Sequence, residues 1–147
     1  MIKITRMTED HVSQIAQIEK LCFSDPWSEK SVATELNNSY SLWLVAMDGD
    51  RVAGYVGSQR VLDAADMMNV AVHPDNRRQG IARELVIALV SALKEQGVCS
   101  LALEVRVSNI PAIALYEQLE FHQVGLRPNY YRNPKEDALI LRKEWTL

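Results

Sequence analysis

Residues 69–82 have the types and the spacing to bind an anion. Residues 70–72 favour a strand, residues 73–76 favour a turn, and the chain then opens a helix at Arg77. The first amides of a helix lack internal partners and lie at the positive end of its dipole, so phosphate oxygens can bind there if no side chain obstructs them. Gly80 removes that obstruction. The pattern predicts a phosphate-binding helix start.

Two common phosphate-binding motifs are excluded for this segment. A P-loop requires Gly-Lys-Ser/Thr, whereas this chain has Gly80-Ile81-Ala82, and a dinucleotide-binding turn requires three spaced glycines. On this segment alone, an ordinary strand, turn and helix with a glycine near the helix start remains an open alternative.

A second polar pattern follows at residues 100–121. Residues 100–107 alternate, with leucines and valines on one face and Glu104 and Arg106 on the other. Asn109 can cap the next helix, and Tyr116 follows seven residues later, two turns along the same side. Alternation alone favours an exposed Glu104 that pairs with Arg106.

Together the two segments resemble the GNAT acetyltransferase superfamily. Arg77-x-x-Gly80-x-Ala82 after a Val-Ala-Val strand is similar to the pyrophosphate loop that holds acetyl-CoA in that family, and residues 103–121 are similar to its RimI branch. The likeness extends to Pro26-Trp27-Ser28, Arg127-x-Asn129-Tyr130-Tyr131 and Glu136-Asp137-Ala138. It implies direct transfer of acetyl from acetyl-CoA, in a ternary complex, to the N-terminal alanine amine of a small-subunit ribosomal protein.

Acetyl transfer from a thioester to an amine makes three chemical demands. It needs a proton acceptor for the amine, donors to the carbonyl oxygen and an acid for the departing sulfur. The resemblance places Glu104 as the base, directly or through water, and Tyr116 as the acid. A phenol with a pKa of about 10 stays protonated at neutral pH. The alternatives are a solvated glutamate and a tyrosine packed on the sheet with its hydroxyl in water.

The resemblance also implies which residues hold acetyl-CoA. The strand contributes backbone groups, with the amide near Val72 as a donor to the carbonyl oxygen, and Asn109 both caps its helix and contacts the cofactor. The implied set is Val70, Ala71, Val72, Arg78, Gln79, Gly80, Ile81, Ala82, Arg83 and Asn109. We expect no metal, because the three histidines are scattered and the two cysteines lie among apolar neighbours.

Three aromatic residues are candidates for the peptide entrance: Trp27, Tyr130 and Tyr131. They either line that entrance or form a satellite core under the loops, and the resemblance favours the entrance for the two tyrosines. Glu136 and Asp137 are candidates to attract a cationic N-terminus, with a solvated loop as the alternative.

Composition sets the class of protein. The 147 residues, 48% hydrophobic, predict a single domain over residues 1–147, and a net charge of −3 disfavours a nucleic-acid surface. No apolar run approaches the ~20 residues of a membrane span, and the start lacks a signal-peptide hydrophobic region. We therefore expect a cytoplasmic protein that binds neither membrane nor nucleic acid.

The hydrophobic periods predict an α/β fold with α+β character, a mixed central sheet flanked by helices, as in GNAT proteins. The predicted helices are a first one capped by Thr8 and running to about Leu21, one that begins at Ser28, one from Ile81 to Gly97, and one over 110–119. The predicted strands are 42–47, 51–60, 67–72, 100–107, 121–126 and 137–143.

Two residues depart from the family pattern. Ala82 stands where many relatives have glycine, and Glu120 replaces the glycine of a usual Leu-Gly-Phe. If Glu120 is left-handed, it costs ~1 kcal/mol. Two other functions remain open from the sequence: a GNAT enzyme acting on lysine or a small amine, and a noncatalytic acyl-CoA sensing module.

Overall fold

A seven-stranded sheet with helices on both faces organises the chain, and the computed structural model describes all of residues 1–147. The strands are β1 (Ile2–Arg6), β2 (Ser41–Asp48), β3 (Arg51–Val61), β4 (Ala64–Val72), β5 (Ser100–Arg106), β6 (His122–Arg132) and β7 (Lys135–Glu144). The helices are α1 (Val12–Cys22), α2 (Glu29–Thr34), α3 (Ile81–Glu95) and α4 (Ile110–Gln118), with single 3-10 turns at Glu9–His11, Glu35–Asn37 and Pro74–Asn76. This confirms the predicted mixed sheet flanked by helices.

The strands run in the order β1-β2-β3-β4-β5-β7-β6, and only the β4–β5 pair is parallel. Helix α3 packs on one face of β3 and helix α1 on the other. Residues 52–58 of β3 are consequently buried without interruption, as expected for a strand covered on both sides. Two apolar clusters result, one on each face of the sheet.

Strands β4 and β5 separate after a short stretch of pairing. Only residues 64–66 of β4 pair with residues 100–102 of β5. Beyond that point, β5 continues beside β7 and β4 continues beside β3. The facing edges of β4 and β5 therefore have no strand between them, and the sheet opens like a V toward its β4 carboxyl end.

The structure extends or corrects several sequence predictions. Strand β1 was missed, and β6 runs on to Arg132 beyond the predicted end at residue 126, with an irregular part over residues 127–131. Helix α3 begins at Ile81, as its apolar period predicted, and not at Arg77, where the anion-binding segment placed the start. The reason is that Arg78 and Gly80 both have a positive φ, 66° and 73°. Ser28 does cap α2, where its hydroxyl accepts a hydrogen bond from the Ser31 amide at 3.1 Å.

Helix α4 ends in a Schellman motif that places Glu120 in the left-handed conformation, with φ 70°. The Phe121 amide donates to the Tyr116 carbonyl at 2.9 Å, and the Glu120 amide donates to the Glu117 carbonyl at 3.0 Å. The Phe121 ring packs edge-on against the Tyr116 ring, with centroids 5.6 Å apart. The end of this helix thus holds Tyr116 in place at the cost of a strained glutamate.

We expect Glu120→Gly to stabilise the protein by about 1 kcal/mol, because glycine adopts positive φ without a steric cost. Thermal unfolding should show a Tm higher by about 2–4 °C. The matched control is Glu117→Gly in the same helix, which should lower the Tm because glycine weakens a helix interior. An unchanged or lower Tm for Glu120→Gly would contradict the strain.

Candidate active site

A cavity of about 890 Å³ occupies the opening between β4 and β5. Its walls come from β4, β5, the start of α4, the loop after α1 and the end of β6. Seven of the predicted site residues line it: Trp27, Val70, Glu104, Asn109, Tyr116, Tyr130 and Tyr131. The fold therefore gathers side chains from both predicted patterns into one space.

The turn before α3 presents unpaired amides. The backbone amides of Gln79, Gly80, Ile81, Ala82 and Arg83 donate to no backbone acceptor, and the first bond of the helix is from Glu84 to the Gly80 carbonyl at 3.1 Å. A Cβ added to Gly80 would meet nothing within 4 Å, so the space beside these amides is open. Of the residues predicted here, Ile81 buries its side chain in the core and offers only its amide. The geometry suits an anion at a helix N-terminus.

The backbone of β4 points polar groups into the opening. The His73 amide donates to the Ala53 carbonyl of β3 at 2.7 Å. Because hydrogen-bonding direction alternates along an antiparallel strand, the amides and carbonyls of Val72 and Val70 face away from β3. The Val72 carbonyl accordingly accepts a long contact from Cys22 Sγ at 3.6 Å. Ala71, by contrast, buries its side chain against the α1 side of the sheet.

Tyr116 is a buried phenol on the wall of the cavity, 5% exposed. Its hydroxyl makes one weak contact, to Met67 Sδ at 3.9 Å. Burial raises its pKa above the usual value of 10.0, with a smaller contribution from nearby Tyr131. The phenol is therefore protonated at all physiological pH values. The alternative of a hydroxyl in bulk water does not fit this burial.

Glu104 pairs with Arg127. The alternation of the strand had suggested Arg106 as its partner. Arg127 Nε lies 3.3 Å from Glu104 Oε1, and the Glu104 side chain is 27% exposed. Arg127 reaches it across β7, which lies between β6 and β5 in the sheet. Arg106 instead bonds Glu136 at 3.2 Å and stacks over the Tyr131 ring. Glu104 is left facing the cavity with one cation that orients its carboxylate.

Asn109 performs the capping role and also lines the cavity. Its Oδ1 accepts a hydrogen bond from the Ala112 amide at 3.3 Å at the start of α4. The first turn of this helix thus places the asparagine beside the opening, on the same side as Tyr116. This position fits both roles predicted for Asn109, the helix cap and a contact to the cofactor.

The loop after α1 and the hairpin between β6 and β7 meet over the cavity. Ser24 Oγ donates to the Asn133 carbonyl at 2.7 Å, and both residues line the cavity. Trp27 also lines it while packing edge-on against Trp43, with centroids 5.4 Å apart. Trp27 therefore packs in a satellite core, as one alternative predicted, and it also faces the cavity, so its role at the peptide entrance stays a prediction. Tyr130 and Tyr131 pack edge-on at 5.0 Å near this mouth.

Glu136 and Asp137 accept hydrogen bonds from groups within the protein. The sequence had suggested them as candidates to attract a cationic N-terminus. Glu136 accepts from the Ser108 amide at 2.7 Å and from Arg106 at 3.2 Å. Asp137 accepts from the Asn129 amide at 2.8 Å. Hydrogen bonds from the Ser108 side chain and amide, helped by Arg106, hold the pKa of Glu136 below its usual 4.5. Glu136 thus fixes the β6–β7 hairpin to the end of β5, and Asp137 joins the two strands of the hairpin.

We expect Glu136→Gln to destabilise the protein at neutral pH but not in acid. A carboxylate with a depressed pKa in the folded state contributes stability above its unfolded pKa, and loses it as the pH falls through the folded value. The Tm difference from the native protein should thus be largest at pH 7 and shrink below the ordinary value of 4.5. Glu144→Gln, at an exposed pair with Arg142, is the control and should change little at either pH. A pH-independent difference would contradict the assignment.

One buried residue of this region was missed by sequence reasoning. Glu19 in α1 is fully buried, and its carboxylate accepts from the Trp27 amide, the Tyr55 hydroxyl and Asn69 Nδ2. A signal was present, because Glu19 lies four residues after Ile15 and three before Cys22, within the apolar stripe of the helix.

Residues 12–121 match the model of the Acetyltransferase (GNAT) family. The chain belongs to the GNAT acetyltransferase family. It is 42% identical over 126 residues to the [ribosomal protein bS18]-alanine N-acetyltransferase of Escherichia coli strain K12, an alignment that covers 84% of each chain. The enzyme of the same name from Haemophilus ducreyi is 33% identical over 141 residues, which covers 94% of this chain and 97% of that protein.

Solved GNAT structures share the whole architecture. The crystal structure of the Escherichia coli ribosomal-protein-S18-alanine N-acetyltransferase matches with a TM-score of 0.92 and 36% identity, covering 100% of this chain and 96% of the other. Arabidopsis thaliana NAA60, solved with acetyl-CoA, matches with a TM-score of 0.89 at 18% identity, covering 98% of each chain. The second likeness shows the shared fold.

The site fits the acetyl-CoA that the GNAT family uses. The unpaired amides from Gln79 to Arg83 and the open space beside Gly80 suit a pyrophosphate. The V between β4 and β5 offers an extended strand edge and leads to the cavity that holds Glu104 and Tyr116. None of the helices combines the length and the hydropathy that a membrane-spanning helix requires.

Proposed function

We propose that this GNAT protein acetylates the N-terminal α-amine of a protein that begins with alanine, a small-subunit ribosomal protein of the bS18 type, in the cytoplasm. The observation that carries the proposal is the cavity between β4 and β5, which Glu104 and Tyr116 both line, together with the unpaired amides before α3. Relatives at 42% and 33% identity with this activity, aligned over 84% and 94% of the chain, support the same acceptor.

Acetyl-CoA supplies a thioester whose carbonyl carbon the amine attacks. Gln79, Gly80, Ile81, Ala82 and Arg83 bind the pyrophosphate through their amides, with the guanidinium groups of Arg78 and Arg83 able to add charge-assisted hydrogen bonds. The Val70 and Val72 amides face the opening and can donate to the carbonyl oxygen, where negative charge grows during attack. These residues bind acetyl-CoA and polarise its carbonyl group, and they do not determine which amine is acetylated.

Glu104 takes the proton of the attacking amine, directly or through one water. An α-amine has a pKa near ~8, against roughly 10.4 for a lysine side chain, so a much larger fraction of it is neutral at pH 7. A carboxylate held by Arg127 is then sufficient as proton acceptor. This match between a weak base and a weakly basic amine favours N-terminal acceptors.

Tyr116 donates a hydrogen bond to the departing sulfur. Its pKa lies above 10.0 while that of a thiol is about 8.5, so complete transfer of the phenolic proton to the thiolate is uphill. The hydroxyl therefore stabilises the thiolate as the carbon–sulfur bond breaks. The reaction converts an amine and a thioester into an amide and a thiol, so the proton that Glu104 takes from the amine is returned to solvent and the thiolate gains one from solvent. Tyr116 remains a phenol throughout.

The mouth of the cavity also favours a chain end. The Ser24–Asn133 hydrogen bond joins the two loops beside the cavity, and we infer that an acceptor enters end-on beside Tyr130 and Tyr131. A free N-terminus meets this requirement with its backbone extended. An internal segment would have to insert a long side chain alone while its backbone stays outside.

Paired peptides test the proposal. One begins with a free alanine and contains no lysine, and the other has a blocked N-terminus and one internal lysine. After incubation with acetyl-CoA, mass spectrometry should show one added acetyl on the first peptide only. Acetylation of the blocked peptide alone would replace the proposal with a lysine acetyltransferase. Acetyl-CoA binding without acetylation of either peptide, or of a panel of small amines, would support a sensing module.

A further inference from the structure

The carboxylate of Glu19 lies behind the acceptor side of the cavity and collects three donors. The Trp27 amide donates to its Oε1 at 2.8 Å, Asn69 Nδ2 donates to its Oε2 at 2.9 Å, and the Tyr55 hydroxyl donates to the same oxygen. The side chain is 0% exposed. No positively charged group pairs with it.

The three donors belong to three different parts of the fold. Trp27 is in the loop that follows α1, Asn69 is on β4 at the edge of the opening, and Tyr55 is on β3. Trp27 and Asn69 both line the cavity. Tyr55 stacks on Trp43 at 5.8 Å, and Trp43 in turn meets Trp27 edge-on. Glu19 therefore ties the loop over the acceptor to the strand that faces the donor.

A buried carboxylate destabilises the fold unless each of its hydrogen bonds is formed. Burial raises the pKa of Glu19, while the bonds from Trp27 and Asn69 lower it. A glutamine at the same place offers a single acceptor oxygen, so its amino group would face either the Trp27 amide or the amino group of Asn69. The position thus demands a group with two acceptor oxygens, which points to a specific role for the carboxylate.

We propose that Glu19 is a positioning residue that holds the 23–27 loop and Asn69 in place, so that the acceptor side of the cavity is formed before the peptide binds. This inference rests on the proposed acetylation of an N-terminal peptide. Preorganisation of a binding surface lowers the entropy lost on binding. Loss of the carboxylate should therefore weaken the binding of the peptide and leave the binding of acetyl-CoA at α3 unaffected.

The test variant is Glu19→Gln, and the matched control is Glu35→Gln. Glu35 is also buried, 7% exposed, and its Oε1 accepts from Ser41 Oγ and Gln59 Nε2, but neither partner lines the cavity. We expect Glu19→Gln to raise the KM for an Ala-starting peptide about tenfold. The KM for acetyl-CoA, and kcat at saturating peptide, should stay within about twofold, since the residue acts on binding. Glu35→Gln should leave all three constants near the native values.

A swapped pair provides the rescue. In Glu19→Gln with Asn69→Asp, the glutamine amino group donates to the new carboxylate, so the same number of donors and the same net charge are restored. The KM for the peptide should return to within about threefold of native. An unchanged peptide KM in Glu19→Gln, an equal rise in Glu35→Gln, or failure of the swap to lower the raised KM would overturn the proposal.

Hydrogen exchange separates this inference from the proposed activity. The amides of residues 23–25 and 27 should exchange faster in Glu19→Gln than in Glu35→Gln, whether or not the peptide is a substrate. If native protein leaves the peptide unmodified while the loop still loosens, the function fails and the positioning role stands. Unaltered exchange overturns the positioning role. If Glu19→Gln does not fold, Tyr55→Phe serves as the second variant, because it removes one of the three donors. It should show the same faster exchange and a peptide KM raised about threefold. Native exchange and a native peptide KM in Tyr55→Phe would overturn the positioning role.

Discussion

Tyr116→Phe is expected to lower kcat at least tenfold and to leave the affinity for acetyl-CoA nearly unchanged. The substitution removes one hydroxyl that lies on the cavity wall and keeps the ring that packs on Phe121. A tenfold loss corresponds to about 1.4 kcal/mol of transition-state stabilisation, the size of one hydrogen bond to a charged group. Steady-state kinetics gives kcat, and calorimetric titration of the protein with acetyl-CoA gives the affinity.

The control for this experiment is Tyr40→Phe, at a tyrosine that is 60% exposed and does not line the cavity. It should change neither quantity. A Tyr116→Phe variant with native kcat would remove the phenol from the reaction. A variant with weakened acetyl-CoA binding and native kcat would assign Tyr116 to donor binding instead.

Glu104→Gln is expected to lower kcat/KM for the Ala-starting peptide about 100-fold at pH 7, because general base catalysis contributes on this scale. The deficit should shrink as the pH rises toward 9. An α-amine with a pKa near ~8 is by then mostly neutral and needs no base. The measurement is a profile of kcat/KM against pH for the native and variant proteins.

Arg127→Gln provides the comparison for Glu104→Gln, since it breaks the same ion pair and keeps the carboxylate. We expect less than a threefold loss, because exposed ion pairs contribute little and the base remains. Equal losses of kcat/KM in the two variants would mean that the ion pair, and not proton transfer to Glu104, supports the activity. A deficit in Glu104→Gln that does not change with pH would also count against proton transfer.

Local signals predicted much of the fold. The four-residue period of Ile81, Leu85, Leu89 and Leu93 indicated α3, and all four side chains are buried. Alternation indicated β5, whose odd-numbered residues 101, 103 and 105 are buried. Strand β1 was missed because it is a five-residue edge strand, stabilised by pairing with β2 more than by its own sequence.

Partners across the sheet could not be predicted from local patterns. The ion pair between Glu104 and Arg127 depends on the position of β7 between β5 and β6, which is out of chain order. The opening between β4 and β5 likewise results from the loss of pairing after three residues, and no residue type marks that point. Long-range pairing of this kind depends on tertiary packing.

The candidate site divides in the same way. Gly80, Asn109 and Tyr116 could be found because a helix start, a cap and a two-turn spacing are local features. Glu19 could not be assigned a role, because its donors are supplied by residues 8, 36 and 50 positions away in the chain. A charged residue in an apolar stripe indicates a buried polar contact, but the sequence does not identify the partner.

The most direct measurement uses one peptide that carries both candidate amines, a free N-terminal alanine and an internal lysine, with acetyl-CoA and the native protein. Tandem mass spectrometry of the product identifies the nitrogen that carries the acetyl group. We predict a single acetyl group on the alanine nitrogen, formed at a rate that falls at least tenfold in Tyr116→Phe. An acetyl group on the lysine, or an equal rate in the variant, would contradict the account.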